Sequence, residues 1–154
     1  MNTITLLKTF CSIAITAGLI VSCQNTEMQD FSYLESTYEN GTYRGVFIDR
    51  DVIQVNVEFT LEDDIVTNAE FRHLRRDDDY YLGTEEQPYA SVVEMYVEAL
   101  RYLEGKSIEE NLADLYEPQY LVTTEVDGYT SATIRSNKII SAMRDALNRG
   151  VYSY

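Results

Sequence analysis

The chain is poor in the residue types that carry most enzyme chemistry. Its 154 residues include two cysteines, one histidine and no tryptophan. Both cysteines, Cys11 and Cys23, lie near the N-terminus, so the remainder offers no thiol for a disulfide, a zinc site or a nucleophile. The only histidine, His73, follows a strand period, and we interpret it as a packed or solvent-facing strand residue. We therefore predict no catalytic residues and no metal site.

Basic residues are also scarce. Lysine and arginine together number 12 against 26 aspartates and glutamates, which gives a formal net charge of −14. A surface this acidic repels phosphate backbones, so we predict no nucleic-acid partner. Solubility at a crowded membrane surface accounts for the charge, and a specific basic partner is the alternative.

The N-terminus contains no apolar run long enough to span a membrane comfortably. Lys8 is followed by a short apolar stretch, Thr9 to Gly18, and then by Ile20-Val21-Ser22-Cys23. This order is typical of a bacterial lipoprotein signal and its cleavage box. We therefore expect residues 1–22 to be a signal peptide and the mature protein to begin at Cys23, acylated with palmitate-like chains. Each buried methylene of such a chain contributes about 0.8 kcal/mol to membrane binding.

This signal predicts a lipid-anchored, extracytoplasmic protein of the cell envelope. Gln24, in place of aspartate after the cysteine, favours outer-membrane sorting if the host has an outer membrane. Residues 23–40 are polar and aperiodic, which predicts a flexible tether. The folded domain is expected over residues 41–154.

The sequence of the first half of this domain predicts an antiparallel meander. Thr42 to Ile48 predicts a short strand, and apolar residues then alternate with polar ones from Ile53 to Phe59. Ile65 to Leu74 predicts a third strand after an acidic turn, and Arg75 to Pro88 a charged loop.

The second half changes to helical spacing. Apolar residues from Val92 to Leu103 predict a helix that Gly105 ends, and Ser107 with Glu110 forms a capping box for a second, short helix. Residues 119–126 predict another strand, and the last helix is expected to start around residues 130–133. The order of these elements, strands first and helices after them, predicts an α+β fold with an antiparallel sheet of about four strands packed against two or three helices.

The residues from Asp127 to Thr133 form the most distinctive local pattern. Asp127-Gly128-Tyr129-Thr130-Ser131-Ala132-Thr133 leads directly into Ser136 and the last helix. Such a turn leaves backbone N–H groups free at a helix N-terminus, where an anion is favoured. The alternative is a plain turn with Thr130 as N-cap and no ligand.

This pattern resembles the motif of the FMN-binding domain found in subunits of sodium-pumping quinone reductases and related ferredoxin oxidoreductases. That motif is aspartate, two variable residues, Ser or Thr, Gly, Ala, then Thr or Ser. The opening Gly41-Thr42-Tyr43-Arg44-Gly45 and the hairpin over Val55 to Thr67 also resemble the family, so the likeness covers roughly Gly41 to Arg149.

The resemblance implies FMN joined through a phosphoester to Thr133 by a flavin transferase. The cofactor-binding residues it implies are Thr133, Asp127, Thr130, Ser131 and Ala132, with Arg135 in the first helical turn able to pair with the phosphate. Two residues depart from the motif. Ser131 stands where the family has glycine, and Arg135 replaces a small residue.

The resemblance implies that the protein is a membrane-anchored flavoprotein that exchanges electrons with a redox partner protein. It implies an electron-transfer domain in preference to a stand-alone enzyme. Two alternatives stay open. One is a flavin-free interaction module on the same fold, marked by Ser131, and the other is the redox subunit of a larger flavin reductase.

Overall fold

Three long antiparallel strands form the centre of the fold. The computed structural model describes residues 36–77, 80–124 and 134–153. The strands are β1 (Gly41–Asp49), β2 (Ile53–Glu62), β3 (Ile65–Arg76) and the two-residue β4 (Tyr80–Tyr81). They are hydrogen-bonded in the order β1-β2-β3-β4, each pair antiparallel.

Helices follow the strands in the chain. They are α1 (Tyr89–Arg101), α2 (Ile108–Asn111) and α3 (Asn137–Arg149), with two short 3-10 helices, Leu112–Tyr116 and Pro118–Tyr120, after α2. Helix α3 packs against β1 and β2, while α1 packs against β3. The predicted α+β class is therefore confirmed, and so is the packing of an antiparallel sheet against helices.

Strand β2 shows why the sheet has one buried face. Its inward residues Ile53, Val55, Val57, Phe59 and Leu61 are at most 1% exposed, whereas the residues between them are half-buried. Successive strand residues point to opposite faces, so this alternation places one face against the helices.

Two aromatic pairs lie in the core, one within the sheet and one between the sheet and α1. The ring of Tyr43 on β1 stacks on that of its cross-strand partner Phe59, with centroids 5.3 Å apart. Phe71 on β3 meets Tyr96 on α1 edge to face at 6.5 Å. Such pairs add about 0.5–1.5 kcal/mol beyond the area that they bury.

Strand β1 lies unusually close to α3 at Gly45. A Cβ atom placed on Gly45 would lie 2.0 Å from the carbonyl oxygen of Ala142 and 2.5 Å from the backbone nitrogen of Ala146. The side chain of Asp145 accepts a hydrogen bond from the Val46 N–H at 2.8 Å. Helix α3 thus covers part of the outer edge of β1, where an unpaired strand would otherwise be open to association.

The residues just before β1 are attached to the β2–β3 turn. The backbone N–H groups of Thr37 and Tyr38 donate to the carboxylate of Asp64 at 2.6 and 2.8 Å, and the Asn40 side chain accepts from the Asp63 N–H at 2.7 Å. The C-terminal part of the predicted tether is therefore in contact with the domain, while the residues before 36 lie outside the described part.

The second half departs from the sequence prediction at three points. Helix α1 ends at Arg101, four residues before the predicted end at Gly105. The predicted strand over residues 119–126 is wrong for its described part, because a 3-10 helix covers Pro118–Tyr120 and no strand follows up to residue 124. The last helix begins at Asn137 rather than at residues 130–133. The capping box of α2 is confirmed in part, since the Ser107 hydroxyl accepts from the Glu110 N–H at 3.4 Å.

The buried face of α3 gives a first testable prediction. Ile140 is 1% exposed, so Ile140→Ala should lower the free energy of unfolding by about 2–4 kcal/mol through lost burial and a residual cavity. Asn148→Ala, on the exposed face of the same helix, should change it by less than about 0.5 kcal/mol. Urea titration of the two variants beside the wild type measures the difference. Equal losses would contradict the register of α3.

Candidate cofactor site beside helix α1

Helix α1 holds the chain on both sides of residues 125–133. On the near side, the Glu98 carboxylate accepts hydrogen bonds from the N–H and hydroxyl of Thr123 at 2.9 and 2.5 Å, and from the Thr124 N–H at 3.0 Å. On the far side, the backbone N–H of Arg135 donates to the Tyr96 hydroxyl at 2.9 Å. We call residues 121–124 the near stem and residues 134–136 the far stem of this segment. Each stem is thus fixed by a side chain of α1, and the two side chains are two positions apart.

The far stem has further anchors in the core. Ile134 is 4% exposed and packs among the buried apolar residues. The Ser136 side chain is buried, and its hydroxyl donates to the backbone carbonyl of Leu115. Because these groups are buried and paired, the chain position directly after Thr133 is determined by the core.

Glu98 is held in its charged form by the near stem. Burial raises the pKa of its carboxyl, but the hydrogen bonds from Thr123 and Thr124 outweigh burial and lower the pKa to about 2. Hydrogen bonds donated to a carboxylate favour its ionised state. The attachment of the near stem therefore depends on the charge of Glu98.

This dependence predicts a pH effect on stability. The folded pKa lies below the ordinary value of 4.5, so the stabilisation is present above that value and is lost as the pH falls towards 2. After allowance for solvent screening, we expect the free energy of unfolding of the wild type to fall by about 1–2 kcal/mol more than that of Glu98→Gln over this pH range. Urea titrations of both proteins at several pH values measure the difference. Parallel losses would contradict the role of Glu98.

A cavity lies between α1 and the near stem. Its volume is about 600 Å³, within the range of about 300–1,000 Å³ that is usual for small-molecule sites. Val93, Val97 and Leu121 form its apolar wall, and Glu98 and Arg101 are among its polar residues. The walls thus combine an apolar surface with the charged side chains of Glu98 and Arg101.

Comparisons with protein-family models, with curated proteins and with solved structures returned no match. The arguments on function therefore depend on the residues of this chain.

The structure places some of the predicted site residues. Arg135 has an exposed side chain and lies before α3 in the sequence. The prediction that it belongs to the first turn of that helix is therefore wrong. Asp127, Thr130, Ser131, Ala132 and Thr133 lie outside the described residues, as does Cys23.

The single histidine and two tyrosines, Tyr81 and Tyr89, have ordinary surroundings. His73 is exposed on β3, and its Nε2 lies 3.1 Å from the Gln54 side-chain oxygen, so of the two interpretations, packed or solvent-facing, the solvent-facing one is correct. Tyr81 is 56% exposed, and Tyr89 packs against the core. Within residues 36–77, 80–124 and 134–153 there is no group of three or more potential metal ligands, nor a helix that is long and apolar enough to cross a membrane.

Sequence reasoning did not find Tyr96 and Glu98. Tyr96 fits the helical apolar period and looks like an ordinary core residue, while Glu98 looks like a solvated charge on the helix surface. Only tertiary contacts reveal that both side chains bind the backbone on either side of residues 125–133.

Proposed function

We propose that this protein is a membrane-anchored, extracytoplasmic electron carrier with FMN attached through a phosphoester to Thr133. The observation that carries the proposal is the anchoring of both stems of residues 125–133 on α1, together with a cavity of about 600 Å³ next to the near stem. Covalent attachment needs an acceptor hydroxyl in a defined place, and Thr133 directly precedes the buried Ile134.

The cavity supplies groups that suit the two ends of FMN. Val93, Val97 and Leu121 would contact the ring system, and burial of such a ring is favourable in proportion to its apolar area. Arg101 lines the same cavity, and Arg135, two positions after Thr133 in the sequence, has an exposed side chain, so either guanidinium could pair with the phosphate. When bound, the flavin would supply the electron-transfer chemistry.

The proposal concerns electron transfer between a reduced partner and an extracytoplasmic acceptor. The flavin-free interaction module remains the second candidate because Ser131 occupies the glycine position of the motif.

The test is production of the full chain with its signal, exported in a bacterial host together with a flavin transferase. The purified protein should show flavin absorbance in the visible range and gain the mass of FMN less water on one peptide that contains Thr133. A colourless protein of unmodified mass would favour the interaction module.

The anchor is tested by Cys23→Ala. We expect wild type to partition into the detergent phase and the variant to be released from membranes or left unprocessed, because the acyl chains supply the membrane affinity. Phase partitioning and N-terminal mass measure this outcome, with Cys11→Ala as the matched control. A variant that partitions like wild type would contradict lipidation at Cys23.

A further inference from the structure

A second cavity adjoins the first, and its walls combine tyrosines with carboxylates. We define the tyrosine cleft by Tyr102, Asp114, Tyr116, Glu117, Tyr120 and Leu121. Its volume is about 670 Å³, and Tyr102 and Leu121 also line the cavity beside α1.

The cleft exposes aromatic rings to solvent, and the backbone that carries these rings is anchored in the core. Tyr116 is 53% and Tyr120 78% exposed, in contrast to 1% for the core residues Tyr43 and Tyr96. The two 3-10 helices that carry the exposed rings are fixed by the buried Leu115 and Pro118. Exposed large side chains on a rigid backbone are a common feature of recognition surfaces, because little entropy is lost on binding.

The protein's own cations already occupy positions over the tyrosines of this cleft. Lys106 Nζ lies 2.9 Å from the ring centroid of Tyr102. The guanidinium of Arg144 lies 5.9 Å from the Tyr116 centroid and also donates to the Tyr116 hydroxyl at 3.2 Å. These contacts are cation–π interactions, so the rings of Tyr102 and Tyr116 already have cationic partners within the chain.

Tyr120 is the tyrosine of the cleft with the most open ring. Among residues 36–77, 80–124 and 134–153, its ring takes part in neither the aromatic pairs nor the cation–π contacts. Glu117, three positions earlier, is exposed and lines the same cleft. A guanidinium stacked on Tyr120 could at the same time form paired hydrogen bonds with this carboxylate, which an ammonium group cannot do with the same geometry.

We infer that the tyrosine cleft is a docking site for an arginine-containing segment of a basic partner protein. The formal charge of −14 steers a positively charged partner towards the protein, and the cleft supplies the local contacts. This inference does not depend on flavin attachment, since none of its observations involves residues 125–133.

The probe is a short glycine–arginine peptide with blocked ends, titrated into the ¹⁵N-labelled full chain in detergent. Saturable shifts should concentrate on residues 113–121 and weaken with added salt. A peptide with citrulline in place of arginine has the same shape without the charge and should bind more weakly. Absence of saturable binding, or equal binding of the citrulline peptide, overturns the inference.

Variants separate local contacts from the general charge of the protein. Tyr120→Ala and Glu117→Gln should each raise the Kd of the arginine peptide by about two- to fivefold, the range of a solvent-exposed cation–π contact. Tyr81→Ala and Glu62→Gln remove an exposed tyrosine and an exposed carboxylate elsewhere, and they should leave the Kd unchanged. Equal effects of the cleft and control variants would show attraction to the acidic surface alone and would refute a specific site.

Discussion

Gly45→Ala is expected to cost at least about 3 kcal/mol of folding stability and to leave little folded protein at physiological temperature. The added methyl group would lie 2.0 Å from the Ala142 carbonyl oxygen and 2.5 Å from the Ala146 nitrogen. Both are backbone atoms of α3, so no side-chain rotation relieves the overlap. The helix would have to move away from β1, and the whole interface would loosen because protein interiors are close-packed.

The matched control is Gly83→Ala. Gly83 has a φ of +89°, and a Cβ at that position would meet no atom within 4 Å. Its cost is therefore limited to backbone strain of about 1–2 kcal/mol. Thermal and urea unfolding of both variants distinguish steric exclusion from conformational strain. A Gly45→Ala protein that is as stable as Gly83→Ala would contradict the close contact between β1 and α3.

The strands were predictable because their local signals agree with the global fold. The alternation from Ile53 to Phe59 matches the buried and half-buried faces of β2, and positive φ angles occur at Asp63 and Asp64 in the predicted acidic turn. At the helix ends the agreement is partial: Gly150, with a φ of +80°, directly follows α3, whereas Gly105, with a φ of +78°, lies four residues after the end of α1. Each of these features depends on neighbours close in sequence.

The segment around residue 120 was mispredicted because its backbone N–H groups form hydrogen bonds that differ from those of a strand. Its β-branched residues favour a strand by propensity, but the carbonyl of Pro118 accepts from the N–H groups of both Leu121 and Val122. The N–H groups of Thr123 and Thr124 then donate to Glu98 on α1. No strand partner is needed once a carboxylate from another element satisfies the backbone.

The start of α3 was mispredicted for a related reason. Small polar residues suggest an N-cap several residues before the apolar period begins, and a hydroxyl is a usual N-cap group. In the structure Ser136 precedes the helix, but its hydroxyl donates to Leu115 instead of accepting from the first turn of the helix. A sequence pattern cannot distinguish these two uses of one hydroxyl.

The tyrosine cleft and the proposed flavin cavity have a consequence when considered together. Tyr102 and Leu121 belong to the walls of both. A partner docked in the cleft would therefore lie beside the proposed cofactor, and electron transfer between proteins requires such proximity. The peptide titration and the flavin assay are independent, so each hypothesis can fail without the other.

The largest expected effect on function is that of Thr133→Ala. With a flavin transferase present, wild type should gain the mass of FMN less water, and Thr133→Ala should gain nothing because the acceptor hydroxyl is absent. Its unfolding midpoint should remain near that of wild type, which shows that loss of the flavin is not loss of the fold. Modified mass on a different peptide of the variant would contradict Thr133 as the acceptor.

Ser131→Gly tests the departure from the motif in the opposite direction. Glycine adopts left-handed backbone angles at no steric cost, whereas serine loses about 1–2 kcal/mol there or blocks the approach of the transferase. If serine is the impediment, the modified fraction should rise above that of wild type under identical co-expression, as measured by intact mass. If both proteins stay colourless and unmodified, the electron-carrier proposal fails. Residues 127–133 would then belong to a flavin-free protein, and the arginine-peptide titration would become the test of its function as an interaction module.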